Sequence, residues 1–191
     1  MSIAINAIIF AVTLVLVIRC FKREGQWAFE NGRRAFRFFT VQSNALCAIS
    51  ALLMCLAPGA RWAWLAKYVG TAAVSVTMLT VFLFLGPSMG GLKPLLSGGD
   101  LFMHLLTPLL AIVSFAIFER RGMAFATALW GMLPVVLYGV WSLYKAVFAP
   151  EGRRWEDFYG FNKGGKWPVA FAAMMAGAFA VCMGLMALQN L

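Results

Sequence analysis

Leu101-Phe102-Met103-His104-Leu105-Leu106-Thr107-Pro108-Leu109-Leu110-Ala111-Ile112-Val113-Ser114-Phe115-Ala116-Ile117-Phe118 carries no formal charge along its length, and His104 is its one titratable side chain. As a helix rising about 1.5 Å per residue, such a run covers most of the roughly 30 Å hydrocarbon core of a bilayer. Apolar runs of similar length lie on either side of it. The chain therefore reads as an all-α polytopic membrane protein, six transmembrane helices in one bundle. The spans fall near 2–19, 36–57, 62–85, 101–118, 123–147 and 167–189, forming a single transmembrane domain over 1–191. With 62% hydrophobic and 12% charged residues, the chain holds more apolar surface than one soluble core can hide.

The run over 3–18 has no basic segment before it and no small-residue cleavage site ahead of Arg19, so it is expected to remain as a span. Cys20, Cys47, Cys55 and Cys182 have neither metal-ligand spacing nor a C-x-x-C pair and read as small buried hydrophobes. The basic excess, 16 Lys and Arg against 7 Asp and Glu, sits in short clusters between apolar runs. That pattern fits membrane orientation and excludes nucleic acid as the expected partner. Arg19, Lys22, Arg23, Arg33, Arg34, Arg37, Lys93, Lys145, Arg153, Arg154, Lys163 and Lys166 flank the long connections after the first, third and fifth spans. Arg61, Lys67, Arg120 and Arg121 belong to the other side. The positive-inside rule puts the long connections in the cytoplasm and both termini outside. Spans two, four and six start at that face and spans three and five end there, so any chemistry is expected there.

Phe38-Phe39-Thr40-Val41-Gln42-Ser43-Asn44 brings four polar side chains into the first turns of the second span, directly after the arginines. Polar groups that enter a lipid-facing helix are costly unless they turn inward. Thr40, Asn44, Cys47 and Ala51 fall on one helical stripe, with Ser43 beside it. Such residues serve packing as well as chemistry: Ser and Thr bond back to helix carbonyls, and Asn ties helices together. His104, the only histidine, opens the fourth span. Thr40 follows Arg37 by three residues and His104 follows Asp100 by four, so both sit at a similar shallow depth from one face. A hydroxyl and an imidazole within reach are the parts of a nucleophile and its base; an interhelical hydrogen bond is the plainer role for His104. Asp100, after Ser97-Gly98-Gly99, suits the N-cap of the fourth span and stands one turn from the imidazole that it would orient.

The fifth span brings Pro134, Tyr138, Trp141, Ser142 and Lys145 along one side toward the same face. Pro134 is expected to kink it, Tyr138 and Ser142 to line a polar pocket, and Trp141 with Tyr144 to serve an aromatic belt. The amphipathic loop Trp155-Glu156-Asp157-Phe158-Tyr159-Gly160-Phe161-Asn162 is expected to lie at the interface and cap the site. Ala172, Ala176, Ala180 and Gly184 form a small-residue stripe suited to close helix packing. One histidine and scattered carboxylates do not make a metal site, no phosphate-binding glycine loop is present, and the G-x-S-x-G elbow is missing. Neither metal nor cofactor is expected.

At Phe38-Phe39-Thr40-Val41-Gln42-Ser43-Asn44, at Met103-His104 and in the late Tyr159-Gly160-Phe161 loop, the chain resembles the androgen-induced-gene family, which includes the androgen-dependent TFPI-regulating protein and prokaryotic six-span relatives. The resemblance covers most of the chain in span order. It implies a multi-pass threonine hydrolase acting on fatty acid esters of hydroxy fatty acids, with Thr40 as nucleophile and His104 as its base, in a bacterial inner membrane. Gln42, Ser43 and Asn44 follow the prokaryotic pattern, which leaves the substrate open. Threonine is a poor nucleophile until a base takes its proton, and the acyl-threonine step needs oxyanion donors, for which Asn44, Ser43 and Tyr159 are candidates. Arg34 and Arg37 stand where a lipid carboxylate would lie, or serve as positive-inside anchors. The other expectation is a non-enzymatic transporter, channel or lipid-binding scaffold, with Thr40, Asn44 and His104 lining its path. Either way, the expected partners are a lipid or fatty acid ester and the bilayer.

Overall fold

The computed structural model describes residues 1–160 and 162–191, so Phe161 of the late loop lies outside the described residues. The chain begins with α1 (Ser2–Arg19). A small antiparallel hairpin follows, β1 (Lys22–Arg23) against β2 (Gln26–Trp27), and then the short helix α2 (Phe29–Ala35). The remaining elements are α3 (Phe39–Leu56), α4 (Arg61–Ser88), α5 (Gly98–Phe118), α6 (Phe125–Phe148) and α7 (Trp167–Asn190). With α1, these last five make six helices long and apolar enough to cross a membrane. Each matches a span expected from hydropathy.

α4 is the axis of the bundle. In its most apolar window 61% of residues are buried, against 22% for α1 and 17% for α7, which lie at the periphery. Small residues let its neighbours close in: a Cβ added at Gly70 would collide with Ser50 Oγ and crowd the Cys47 backbone of α3. On another side Trp64 and Tyr68 of α4 stack against Phe115 of α5, with ring centroids 5.6 and 5.7 Å apart. The outer surface is apolar, carrying Leu83, Ile117, Leu137 and Val140 exposed. A helix meets most of its backbone polar groups within the segment, which is what lipid demands. This is the architecture of an integral, multi-pass membrane protein.

Prolines set the local geometry of the spans. α5 widens into a π turn over Phe102–Leu106 just before Pro108, and α4 does the same over Val81–Leu85 before Pro87. A proline offers no N–H to the preceding turn, and one widened turn absorbs the loss. In α6, Pro134 marks the change from a 3-10 turn (Leu129–Met132) to regular helix (Leu133–Leu143). Trp141 and Tyr144 are exposed, as an aromatic belt requires. The stripe Ala172, Ala176, Ala180 and Gly184 faces outward and packs against nothing within the bundle.

Two charged residues depart from the pattern expected of flanking charges. Lys67, counted with the charges of the short-connection side, is completely buried. Glu119, in the tight turn after α5, folds its carboxylate back into the bundle and is 4% exposed.

Candidate functional site

α3 starts where the chain leaves an extended Phe38, and its first turn carries amides that no helical carbonyl can reach. The Val41 and Gln42 amides both donate to the Phe38 carbonyl, at 3.2 and 3.3 Å. The Phe39 amide donates to the phenol oxygen of Tyr159 at 3.2 Å. Among the described residues the Thr40 amide finds no acceptor, and the half-buried Thr40 hydroxyl finds no partner. Thr40 lines a cavity of ≈ 350 Å³. Its walls are apolar, from Phe39, Val76, Leu85, Val135 and Met174, with Asp157, Tyr159 and Lys163 at the loop side. Cavities of about 300–1,000 Å³ with few polar groups are the usual form of a small-molecule site.

His104 sits inside the π turn of α5, 6% exposed. Its Nδ1 lies 2.7 Å from the Leu95 carbonyl, which can only accept, so Nδ1 carries the proton. In the neutral ring Nε2 then presents a lone pair, the form a general base needs. Leu95 packs with Val81, Leu85 and Tyr159, which line the Thr40 cavity, but His104 itself is not among the lining residues.

Asn44 joins the two regions, and Pro108 explains why. The Thr107 amide reaches back five residues to the Phe102 carbonyl, and residue 108 has no amide hydrogen. The Met103 carbonyl is thereby left out of the helix ladder. Asn44 Nδ2 takes it at 3.1 Å while also donating to the Thr40 carbonyl at 2.8 Å. One fully buried amide thus holds the turn of Thr40 against the residue preceding His104. Both Asn44 hydrogens are engaged, so Asn44 is a tie between helices and has no hydrogen left for an oxyanion. Its Oδ1 is sealed without a partner.

The other expected residues group around the same face. The Ser43 hydroxyl lies 2.7 Å from Thr77 Oγ1 and 3.1 Å from the Thr40 carbonyl, which it uses to pin α3 to α4. Tyr138 donates to the Arg37 carbonyl at 3.0 Å, and its ring packs 5.0 Å from Phe39. Phe158 packs edge-on against Phe38 at 5.1 Å, so the 155–160 part of the loop closes over the start of α3. Burial, with Tyr138 beside it, holds the Tyr159 phenol well above its ordinary value, and it stays protonated. A second cavity of ≈ 260 Å³ adjoins the first, lined by Arg34, Arg37, Ser142 and Trp155. The Arg37 guanidinium lies over the Trp155 ring at 5.7 Å.

Asp100 stands apart. Ser97 occupies the N-cap of α5, and the Asp100 amide donates to the Ser97 carbonyl at 3.1 Å. Its carboxylate is exposed and, among the described residues, makes no bond to His104. The imidazole is oriented by the Leu95 carbonyl, a main-chain group that no side-chain pattern announces. Pro108, four residues after His104, was the legible signal of the freed carbonyl. No family model, no curated protein and no solved structure matches this chain.

Proposed function

We propose that the protein is an integral-membrane lipid ester hydrolase that uses Thr40 as nucleophile and His104 as general base. The observation that carries this reading is the Thr40 hydroxyl. It is unpartnered at the wall of an apolar cavity, one amide bridge away from a histidine whose base nitrogen is left available. The resemblance at the Thr40 and His104 stretches supports the same roles.

In the reaction, Thr40 Oγ attacks the ester carbonyl carbon while its proton passes to His104 Nε2. Charge gathers on the carbonyl oxygen near the Thr40 amide, which points out of the positive end of α3. His104 then returns the proton to the departing alkoxide, leaving acyl-Thr40 and a free alcohol. Water, deprotonated by His104, releases the acid and restores the hydroxyl. Exposed Phe84 and Ala173 among the lining residues suit entry of an acyl chain from the bilayer between α4 and α7. Fatty acid esters, among them those of hydroxy fatty acids, fit such a cavity. The proposed setting is a bacterial inner membrane with the 20–38, 89–97 and 149–166 connections on the cytoplasmic side.

A fluorophosphonate probe tests the assignment. Wild-type protein in detergent is labelled, whereas Thr40→Ala and His104→Ala are folded and unlabelled; labelling retained in both variants refutes it. A lipid-binding scaffold is the second reading, favoured by the absence of His104 from the cavity lining. It predicts that wild-type protein binds a fatty acid ester without turnover and that Thr40→Ala binds equally well.

A further inference from the structure

At the opposite end of the bundle from Thr40, polar groups of α1 and the α5 terminus converge on one buried carboxylate. Glu119 Oε1 accepts from the Ser2 hydroxyl at 2.8 Å, the Ser114 hydroxyl at 2.8 Å and the Asn6 side-chain amide. All three contacts converge on Oε1, so Oε2 is left to a partner of its own. Trp64 of α4 donates its indole N–H to the Glu119 main-chain carbonyl at 2.8 Å, which fixes this turn against α4. One helical turn along α4 from Trp64 stands Lys67, 0% exposed.

Four atoms here are sealed from solvent and unpartnered among the described residues: Lys67 Nζ, Glu119 Oε2, Asn6 Oδ1 and Thr71 Oγ1. The Trp64 bond holds the Glu119 turn against the stretch of α4 that carries Lys67, and among the described residues neither side chain forms a direct ion pair. A buried ammonium with no acceptor and a buried carboxylate oxygen with no donor each carry a penalty of several kcal/mol by order of magnitude. Whatever fills the gap must accept from the ammonium and donate to the carboxylate. A metal cation fails the first requirement and an anion fails the second. Water satisfies both, with Asn6 Oδ1 and Thr71 Oγ1 as its remaining partners.

We propose that Lys67 and Glu119 form a water-bridged ion pair, a built hydration site that clamps α1 to α4 and α5 at the short-connection end of the bundle. The clamp matters because α1 is otherwise a peripheral helix, and Ser2 and Asn6 bind it to the carboxylate. Ile9, Cys47, Ala51, Val74 and Ala111 of the neighbouring helices form an apolar cluster that offers these polar atoms no partner.

The test is a charge cycle in detergent-solubilised full-length protein. Lys67→Met and Glu119→Gln each leave one buried charge unbalanced and lower the melting temperature; the double variant removes both charges and recovers more than half of the larger loss. Additive losses in the double variant, or an unchanged melting temperature for Lys67→Met, overturn the pair. If a single variant fails to fold, the wild-type protein decides, through an experimental structure that resolves ordered water. Density bridging Lys67 Nζ and Glu119 Oε2 supports the proposal, and a direct contact or an empty gap overturns it. A wild-type melting temperature that tracks sodium or chloride at constant ionic strength assigns the gap to an ion and likewise refutes the water bridge.

Discussion

Replacing Asn44 by Ala removes the side-chain donor that, among the described residues, reaches the Met103 carbonyl, because the Thr107 amide is committed to Phe102 and Pro108 has none to give. A buried carbonyl stripped of its partner costs about 1–3 kcal/mol. The same substitution also deletes the sealed Oδ1, which offsets part of that loss, so the expected destabilisation is about 1–2 kcal/mol. For a chain of this length that corresponds to a fall in melting temperature of roughly 2–8 °C. Pro108→Ala supplies the missing amide, five residues after Met103 in a π turn and therefore able to take the orphaned carbonyl. In the Pro108→Ala background Asn44→Ala should cost less, by about 1 kcal/mol of coupling in a double-mutant cycle. Thermal unfolding in detergent measures the stabilities, and the rate of fluorophosphonate labelling reports on the proposed Thr40–His104 pairing. Asn44→Ala should slow labelling more than it lowers the folded fraction. Losses that add to within about 0.3 kcal/mol would refute the claim that proline and asparagine serve the same carbonyl.

Gly70→Ala drives a methyl into Ser50 Oγ and the Cys47 backbone, so it should destabilise by about 1–3 kcal/mol, and Ser50→Ala in the same chain should restore part of the melting temperature. Tyr159→Phe deletes the acceptor of the Phe39 amide and should loosen the loop over α3, read as faster proteolysis within 149–166 and a stability loss of about 1 kcal/mol. The Tyr159 phenol is held above its ordinary value, so the neutral form favours folding; stability present below about pH 10 falls as the pH rises beyond it. Tyr159→Phe should remove that part of the alkaline slope in a pH series of melting temperatures.

The six spans were readable from hydropathy alone, because lipid leaves a backbone no choice but to satisfy itself within each segment, and long apolar runs have no other use. Pro134, expected to kink the fifth span, stands where a 3-10 turn passes into regular helix, while the π turn before Pro108 went unread. The shared face of Thr40 and Asn44 followed from helical spacing, and the loop at Trp155 to Gly160 does lie over the start of α3.

What residue each polar group meets depended on how the helices are rotated against one another, and no local pattern encodes that rotation. Asn44 looked like a donor for an oxyanion and is instead consumed by two carbonyls; Asp100 read as the N-cap of the fourth span and as a group to orient His104, and yields the first place to Ser97 and the second to the Leu95 carbonyl. Lys67 counted by position among the charges of the short-connection side, yet it and Glu119 are both buried. A charge near a span end can reach outward to water or fold inward, and only the neighbours decide which is less costly. Hydropathy thus determined that the chain carries six helices able to cross a membrane, while the tertiary structure decided which of its few polar atoms are answered among the described residues and which are not.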